Sequence, residues 1–204
     1  MSDPLPAFTT AWTVLSRLLL RPPTQLDLDT VRSPDLLAVW PLDHDAATAE
    51  GLALLRASAE EEDAEMVRAD FNRLFVGPAR LLAHPWESVH RSEEHLLFDE
   101  QTAQVRTWYA RYDLAVPRLN QDPDDHIGLE LEFLAHLGQR ALADPEHASD
   151  VIADLAAFLS EHPAVWAPGF ADLVSSRAEG PFYQGVGRLL TGTITQSVAA
   201  FVRT

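Results

Sequence analysis

Hydrophobic residues recur at intervals of three and four along most of this chain, which is the spacing of one face of an α-helix. The first such segment predicts an amphipathic helix over residues 5–20 that ends before Pro22-Pro23. Sustained alternation of apolar and polar residues, which is typical of strands, is absent apart from a short piece near Ser88-Val89. The same helical pattern predicts further helices at about 34–40, 44–57, 58–77, 98–113, 124–143, 146–160, 165–178 and 181–202. We therefore predict an all-α fold of about eight or more helices.

Two polar residues are predicted to open helices in the first half of the chain. Asp43 precedes the segment that starts at about residue 44, and aspartate is a favoured N-cap. Ser58 is followed three residues later by Glu61, which is the spacing of a capping box. The helix that Ser58 opens is predicted to end at Gly77-Pro78, because neither residue continues a helix well. Its buried face is predicted to consist of Val67, Phe71, Leu74 and Phe75.

Residues 114–123 form a polar, proline-containing connector between two long helical patterns. We predict a single globular helical domain over residues 1–204, with this connector as a candidate hinge. A hinge also allows segments to be exchanged between copies, so a monomer and a domain-swapped dimer both fit the sequence.

Composition and charge narrow the classes of function. The formal charge of −16, from 31 acidic and 15 basic residues, argues against nucleic acid as a partner, because phosphates need a basic patch. It fits a basic partner, simple solubility, or a salt-rich or GC-rich host, and these remain open. The chain has no cysteine, which excludes disulfides, thiolate nucleophiles and cysteine zinc sites.

The sequence predicts neither stable membrane insertion nor export. No apolar run approaches the roughly 20 residues of a membrane span. The start, MSDPLPAFTT, has no basic segment ahead of an apolar one. We therefore expect a cytoplasmic protein.

Enzyme motifs are not evident. The chain has no GxGxxG or GK[ST] loop, and Gly185-Val186-Gly187 is predicted to serve close helix packing instead. No G-x-S-x-G elbow is present. Ser88 lies near His84, His90 and His95 in the sequence, but nothing places an oxyanion hole beside it. We predict no catalytic residue and no cofactor.

Metal binding is the alternative to consider, because His126 and Glu130, like Glu132 and His136, are four residues apart and can meet on a helix surface. At 100° per residue from His126, Glu130 lies at about 40°, whereas Glu132 and His136 lie near 240° and 280°. The two pairs therefore cannot converge on one ion, and we predict no metal site. Glu132 and His136 are predicted to form a solvated face. A histidine/carboxylate metal-binding protein or metalloenzyme is the alternative function.

His126 and Glu130 share their arc with apolar residues such as Phe133, and two interpretations stay open. The first is a helix-start histidine held by an acidic neighbour. The second is a partly buried polar cluster beside a groove, in which the carboxylates of Asp124 and Asp125 receive a cationic ligand. Either burial or a carboxylate could move the pKa of this histidine across the physiological range.

Pro85-Trp86 stands in the irregular stretch after Gly77-Pro78. A large indole in irregular backbone usually either fills the core or lines a pocket. The residue types alone leave both open.

Four blocks in order, LFVGP, PWESV, PDDHIGLELEFL and GPFYQGVGRL, resemble the TorD/DmsD/NarJ family of cytoplasmic redox-enzyme maturation chaperones. The similarity spans roughly residues 65–190 and is strongest to the DmsD-like and TorD-like branches. It implies an all-helical fold and a chaperone rather than an enzyme. It also implies two partners: the twin-arginine signal peptide of a molybdenum-cofactor oxidoreductase, and the catalytic subunit that carries it. Such chaperones hold the subunit back from export until the cofactor is inserted.

The resemblance also implies where the signal peptide binds. Phe71 stands where DmsD-like members often have Trp, and Asp122 replaces the leading Glu of the family's connector. A twin-arginine peptide combines two guanidinium groups with an apolar segment, so its receptor needs carboxylates beside an apolar groove. The carboxylates are expected from Asp124, Asp125 and Glu130. The signal-peptide site carried over from the family, together with these groups, comprises Phe71, Leu74, Phe75, Pro85, Trp86, Asp124, Asp125, His126 and Glu130.

Overall fold

The helical period dominates the structure as it dominates the sequence. The computed structural model describes residues 3–78, 80–92, 97–115 and 123–202, and all regular elements in these ranges are helical. The α-helices are α1 (Leu5–Leu20), α2 (Gln25–Val31), α3 (Pro34–Ala38), α4 (Ala46–Glu61), α5 (Ala64–Phe71), α6 (Glu87–Arg91), α7 (Glu100–Ala110), α8 (Ile127–Ala143), α9 (Ala148–Glu161), α10 (Pro163–Arg177) and α11 (Pro181–Phe201). The predicted all-α fold is confirmed.

The core forms where the apolar faces of the long helices meet. α8 packs against α1, α9 and α10, and α11 packs against α4 and α10. Trp12 of α1 is fully buried, and its Nε1 donates a hydrogen bond of 3.1 Å to the Ser197 hydroxyl of α11. Burial of an indole of this size removes a large apolar area from water, and its polar N–H has a partner. None of the helices in the described ranges is long and apolar enough to cross a membrane.

Glycine lets α11 approach its neighbours closely. A Cβ atom on Gly185 would lie 2.9 Å from the carbonyl oxygen of Gly51 in α4. A Cβ atom on Gly187 would lie 2.8 Å from the carbonyl oxygen of Ala171 in α10. Neither backbone could keep its position against a larger residue. The predicted packing role of these two glycines is confirmed.

The caps of α4 and α5 differ from the prediction. Asp45, not Asp43, caps α4, and its Oδ1 accepts a hydrogen bond of 2.8 Å from the Thr48 N–H. Ser58 lies inside the last turns of α4, because the alanine and glutamate residues around it favour continued helix. Asp63 opens α5 instead, accepting hydrogen bonds of 2.9 Å from the Glu65 and Met66 N–H groups. The predicted capping box at Ser58 is therefore wrong.

Beyond Phe71 the chain widens into a π-helical turn over Asn72–Val76. This turn ends at Gly77, where φ is 98°, a conformation that glycine adopts without strain. The Gly77 N–H donates to the Asn72 carbonyl at 2.8 Å. The predicted helix end at Gly77-Pro78 is confirmed. The predicted apolar face is buried as well, at Val67, Phe71, Leu74 and Phe75.

Two local predictions fail. Ser88-Val89 belongs to helix α6 and not to an extended segment. α2 was not predicted, although Thr24 and Asp27 form a capping box at its start.

The candidate hinge falls mostly outside the described residues, which omit 116–122, and so do His95 and Asp122. The single domain and its hinge therefore stay predictions.

Candidate functional site

Two segments that are distant in the sequence meet at the start of α8. The Ile127 N–H donates to the Pro85 carbonyl at 2.8 Å, and the Glu87 N–H donates to the Asp125 carbonyl at 2.9 Å. These two bonds flank an antiparallel bridge between Trp86 and His126. We call this element the Trp86–His126 junction. It brings together two of the predicted site segments through a pair of main-chain hydrogen bonds.

The rings of Trp86 and His126 stand edge to face at the junction. Their centroids are 5.9 Å apart with an interplanar angle of 84°, and both side chains are half-buried. Trp86 is thus neither a fully buried core residue nor an exposed one. Each ring presents part of its surface to solvent beside the other, which gives an aromatic contact area with a polar edge.

His126 is also the N-cap of α8. Its Nδ1 accepts a hydrogen bond of 3.0 Å from the Gly128 N–H, so the ring proton of the neutral form sits on Nε2. Desolvation lowers the pKa of His126 to about 4, and the ring is therefore neutral at physiological pH. The predicted helix-start histidine is present, but no carboxylate holds its ring among the residues that the structure describes.

Asp124 and Asp125, predicted to face a cationic ligand, point inward. Asp125 is fully buried; its Oδ2 accepts from the Ser88 N–H at 2.6 Å and its Oδ1 from the Thr102 hydroxyl at 2.7 Å. Asp124 is also buried, and its Oδ2 pairs with the Arg106 guanidinium at 2.6 Å. Each carboxylate therefore already has a partner from its own chain.

Glu130 and Glu87 form a second buried acidic pair below the junction. The Trp166 Nε1–H donates to Glu130 Oε2 at 3.0 Å, while Glu130 Oε1 has no partner in the described part of the chain. Glu87 Oε2 lies 2.8 Å from His162 Nδ1, and its other oxygen pairs with Arg91. Desolvation, together with the negative charge of Glu87, raises the pKa of Glu130 well above its ordinary value. Burial therefore favours the protonated form of Glu130.

Phe71, Leu74 and Phe75 lie in the core and do not line an open groove. All three side chains are buried. Phe75 packs against Phe71 with a centroid distance of 5.1 Å and against Tyr183 at 5.5 Å. The Leu74 carbonyl accepts from the Ala83 N–H at 3.1 Å, which ties the π-helical turn to the segment that leads to Pro85. This bond connects the turn to the junction segment, and Val76 in the same turn is 61% exposed.

The structure thus brings together Pro85, Trp86, Asp125 and His126, and places Asp124 and Glu130 directly behind them. Sequence reasoning missed Glu87, which pairs with Arg91 within α6 and joins α6 to His162 between α9 and α10. Its position in the PWESV block was the available signal, but one glutamate at the first turn of a helix is ordinary.

Glu132 and His136, predicted as a solvated face, line two neighbouring hollows on the outer side of α8. Glu132 is exposed and His136 half-buried. A hollow of about 520 Å³ separates them from α1, and one of about 280 Å³ separates them from the end of α7. Within the described ranges, no three histidine or acidic side chains are arranged to hold a metal ion.

Comparison with known proteins assigns this chain to a family. The family model described as "Nitrate reductase delta subunit" matches residues 42–172. The Tat proofreading chaperone DmsD of Salmonella typhi is 31% identical over 168 residues, which cover 82% of this chain and 76% of that protein. The chain belongs to the TorD/DmsD/NarJ family of redox-enzyme maturation chaperones.

Other members of the TorD/DmsD/NarJ family extend the match. The chaperone protein TorD of Vibrio vulnificus is 27% identical over 184 residues, covering 86% of each chain. A crystal structure of a redox enzyme maturation protein from Archaeoglobus fulgidus has a TM-score of 0.53 and 20% identity, covering 94% of this chain and 93% of that one. The latter similarity concerns the fold alone. The predicted family is confirmed, and the protein is a chaperone of redox-enzyme maturation.

Proposed function

We propose that this chaperone acts in the cytoplasm, where it binds the twin-arginine signal peptide of a molybdenum-cofactor oxidoreductase at the Trp86–His126 junction and holds the subunit until its cofactor is in place. The observation that carries the proposal is the pair of backbone hydrogen bonds that joins Pro85–Glu87 to Asp125–Ile127. It unites two predicted site segments on one partly exposed surface.

The junction is preorganised for a peptide. Asp125 accepts hydrogen bonds from Ser88 and Thr102 and so fixes the backbone that carries Trp86 and His126. Because this support comes from buried groups, binding a ligand orders few further side chains, which lowers the entropic cost of association.

The surface chemistry fits the apolar part of a signal peptide. The Trp86 indole is half-buried, so part of its apolar ring faces solvent. A partly exposed indole is a frequent centre of binding energy in protein interfaces. His126 stays neutral, with its pKa at about 4, so it adds no positive charge that would repel an arginine-rich peptide.

The net negative charge of the chain favours binding of the basic part of the same peptide. A chain with a formal charge of −16 attracts a cationic peptide at long range and raises its rate of association. The proposed action needs binding and release only, and it assigns no covalent step to any side chain.

Calorimetric titration with a synthetic twin-arginine signal peptide tests the proposal. We expect saturable binding that weakens as salt increases, because exposed charges are screened. A peptide with both arginines replaced by glutamine should bind more weakly. Absence of saturable binding to signal peptides of several molybdenum enzymes would contradict the proposed function.

Trp86→Ala locates the site. We expect this variant to weaken peptide binding by about 1–3 kcal/mol, as for the loss of a central aromatic contact. Val39→Ala is the matched control, because Val39 is 70% exposed beside α3, which packs against α2 and α4. Equal affinity of wild type, Trp86→Ala and Val39→Ala would move the site away from the junction.

A further inference from the structure

One outward face of α8 continues from the junction. Leu129, Glu132 and His136 follow one another at intervals of three and four residues, so they lie on one side of the helix, and His126 stands at its start. Each is at least partly exposed. At 1.5 Å per residue this face extends about 15 Å beyond His126, enough for four or five residues of an extended peptide.

The hollow between α8 and the end of α7 has a mixed lining. Its volume is about 280 Å³. Among the described residues, its walls are apolar apart from Glu132, His136 and the Tyr109 hydroxyl, and they contain no arginine. The Tyr109 hydroxyl is already used, since it donates to the Asp124 carbonyl at 3.2 Å. The hollow is lined by Tyr109, Leu114, Ala115, Leu129, Glu132, Phe133 and His136.

The Glu132 carboxylate is available to a ligand, whereas the three inner carboxylates are buried and have partners from their own chain. Asp124 is paired with Arg106, Asp125 accepts two hydrogen bonds, and Glu130 is fully buried against the Trp166 indole N–H. Glu132, by contrast, makes no hydrogen bond or ion pair with any residue that the structure describes, and it is exposed.

Neighbouring groups leave the charge of Glu132 available. Arg17 pairs with Asp27 at 2.5 Å, and the Arg140 guanidinium lies over the Tyr112 ring at 5.3 Å. Desolvation and the charge of Arg140 lower the pKa of His136, so this ring adds no positive charge at neutral pH. Arg21 lines the other hollow, on the α1 side.

We propose that the hollow between α8 and the end of α7 is an arginine subsite next to the Trp86–His126 junction, in which the Glu132 carboxylate binds a guanidinium group of the bound peptide. The aliphatic stem of the arginine would lie against Leu114, Leu129 and the edge of Phe133, while its charged head pairs with Glu132. Net negative charge and apolar walls select an arginine over an acidic or a purely apolar side chain. This subsite rests on the proposed function and names the carboxylate that reads the arginine.

A double-mutant cycle between Glu132 and the peptide tests the subsite. Wild type and Glu132→Gln are titrated with a twin-arginine peptide and with versions in which each arginine in turn is glutamine. We expect Glu132→Gln to weaken the parent peptide about tenfold and to have little effect on the version that lacks the contacting arginine. Asp172→Asn is the matched control, since it removes an exposed carboxylate from a hollow between α10 and α11.

A second variant tests the hollow without changing its charge. Ala115→Trp fills the space beside Glu132 and should also weaken the parent peptide several-fold. The subsite is overturned if wild type binds the peptide and both Glu132→Gln and Ala115→Trp bind it with the same affinity as wild type. If wild type itself binds no signal peptide, the proposed function fails and the subsite fails with it. The two failures are therefore distinguishable.

Discussion

The inner and outer sides of the first turns of α8 use the same residue types for opposite purposes. On the inner side Asp124, Asp125 and Glu130 are buried, and each accepts a hydrogen bond from its own chain. On the outer side Glu132 is exposed and makes no such bond among the described residues. A carboxylate that is buried and satisfied fixes a structure, whereas one left in water beside an apolar hollow can recognise a cation.

The difference follows from helical phase. Glu130 and Glu132 are two residues apart, which is about 200° around a helix, so one faces Trp166 in the core and the other faces solvent. Charge alone does not distinguish the two. Only the position of each residue on the helix separates support from recognition.

The largest expected effect is on the inner side. Asp125→Ala leaves the Ser88 N–H and the Thr102 hydroxyl buried without their acceptor, so we expect it to lower the free energy of unfolding by about 3 kcal/mol. Urea denaturation measures this. Glu132→Gln, from the outer side of the same segment, is the control and should stay within about 0.5 kcal/mol of wild type. Similar losses in both variants would contradict the division into two sides.

A smaller effect concerns Glu130 and depends on pH. An unfolded Glu loses its proton above about pH 4.5, whereas the raised pKa of Glu130 lets this carboxyl keep its proton to a higher pH in the folded protein. Wild type therefore loses stability through this group as the pH rises above that value. Glu130→Gln does not titrate, so its free energy of unfolding relative to wild type should increase between pH 5 and 8 by about 1 kcal/mol or more. Denaturant titrations across this range give the difference, and a flat or falling difference would show that Glu130 is ionised.

The smallest effect concerns His126 and has the opposite pH dependence. An unfolded His gains a proton below about pH 6.5, whereas the folded ring resists protonation until about pH 4. Wild type therefore loses stability through this group as the pH falls across that window. His126→Asn keeps an N-cap acceptor without titrating. Its free energy of unfolding should therefore rise by about 1 kcal/mol relative to wild type as the pH falls from 6.5 to 4. Thermal unfolding at several pH values checks this, and a constant difference would argue against a neutral capping ring.

Much of the fold could be predicted, because the long helices carry strong apolar periods. α1 and α8–α11 lie within a few residues of their predicted bounds. The starts of α4 and α5 could not be assigned, since Asp43 and Asp45, or Ser58 and Asp63, are all acceptable caps and tertiary packing chooses between them. Short α6 lacks a full period of its own.

Less of the candidate site could be predicted. Helical phase placed Glu130 with Phe133 and set Glu132 opposite, and the structure agrees. Asp124 and Asp125 precede the helix, where no period defines a direction, so their inward orientation was not predictable. The contact between Trp86 and His126 joins residues 40 positions apart, and only the family resemblance indicated that both belong to one site.

The main-chain bonds of the Trp86–His126 junction have a consequence for how such a chaperone can diverge. The two bonds join the Ile127 N–H to the Pro85 carbonyl and the Glu87 N–H to the Asp125 carbonyl, so the pairing does not depend on the side chain at position 86 or 126. Substitutions at these two positions can change the shape and polarity of the exposed surface while the segments stay joined. Related chains could thus acquire different clients on one unchanged backbone.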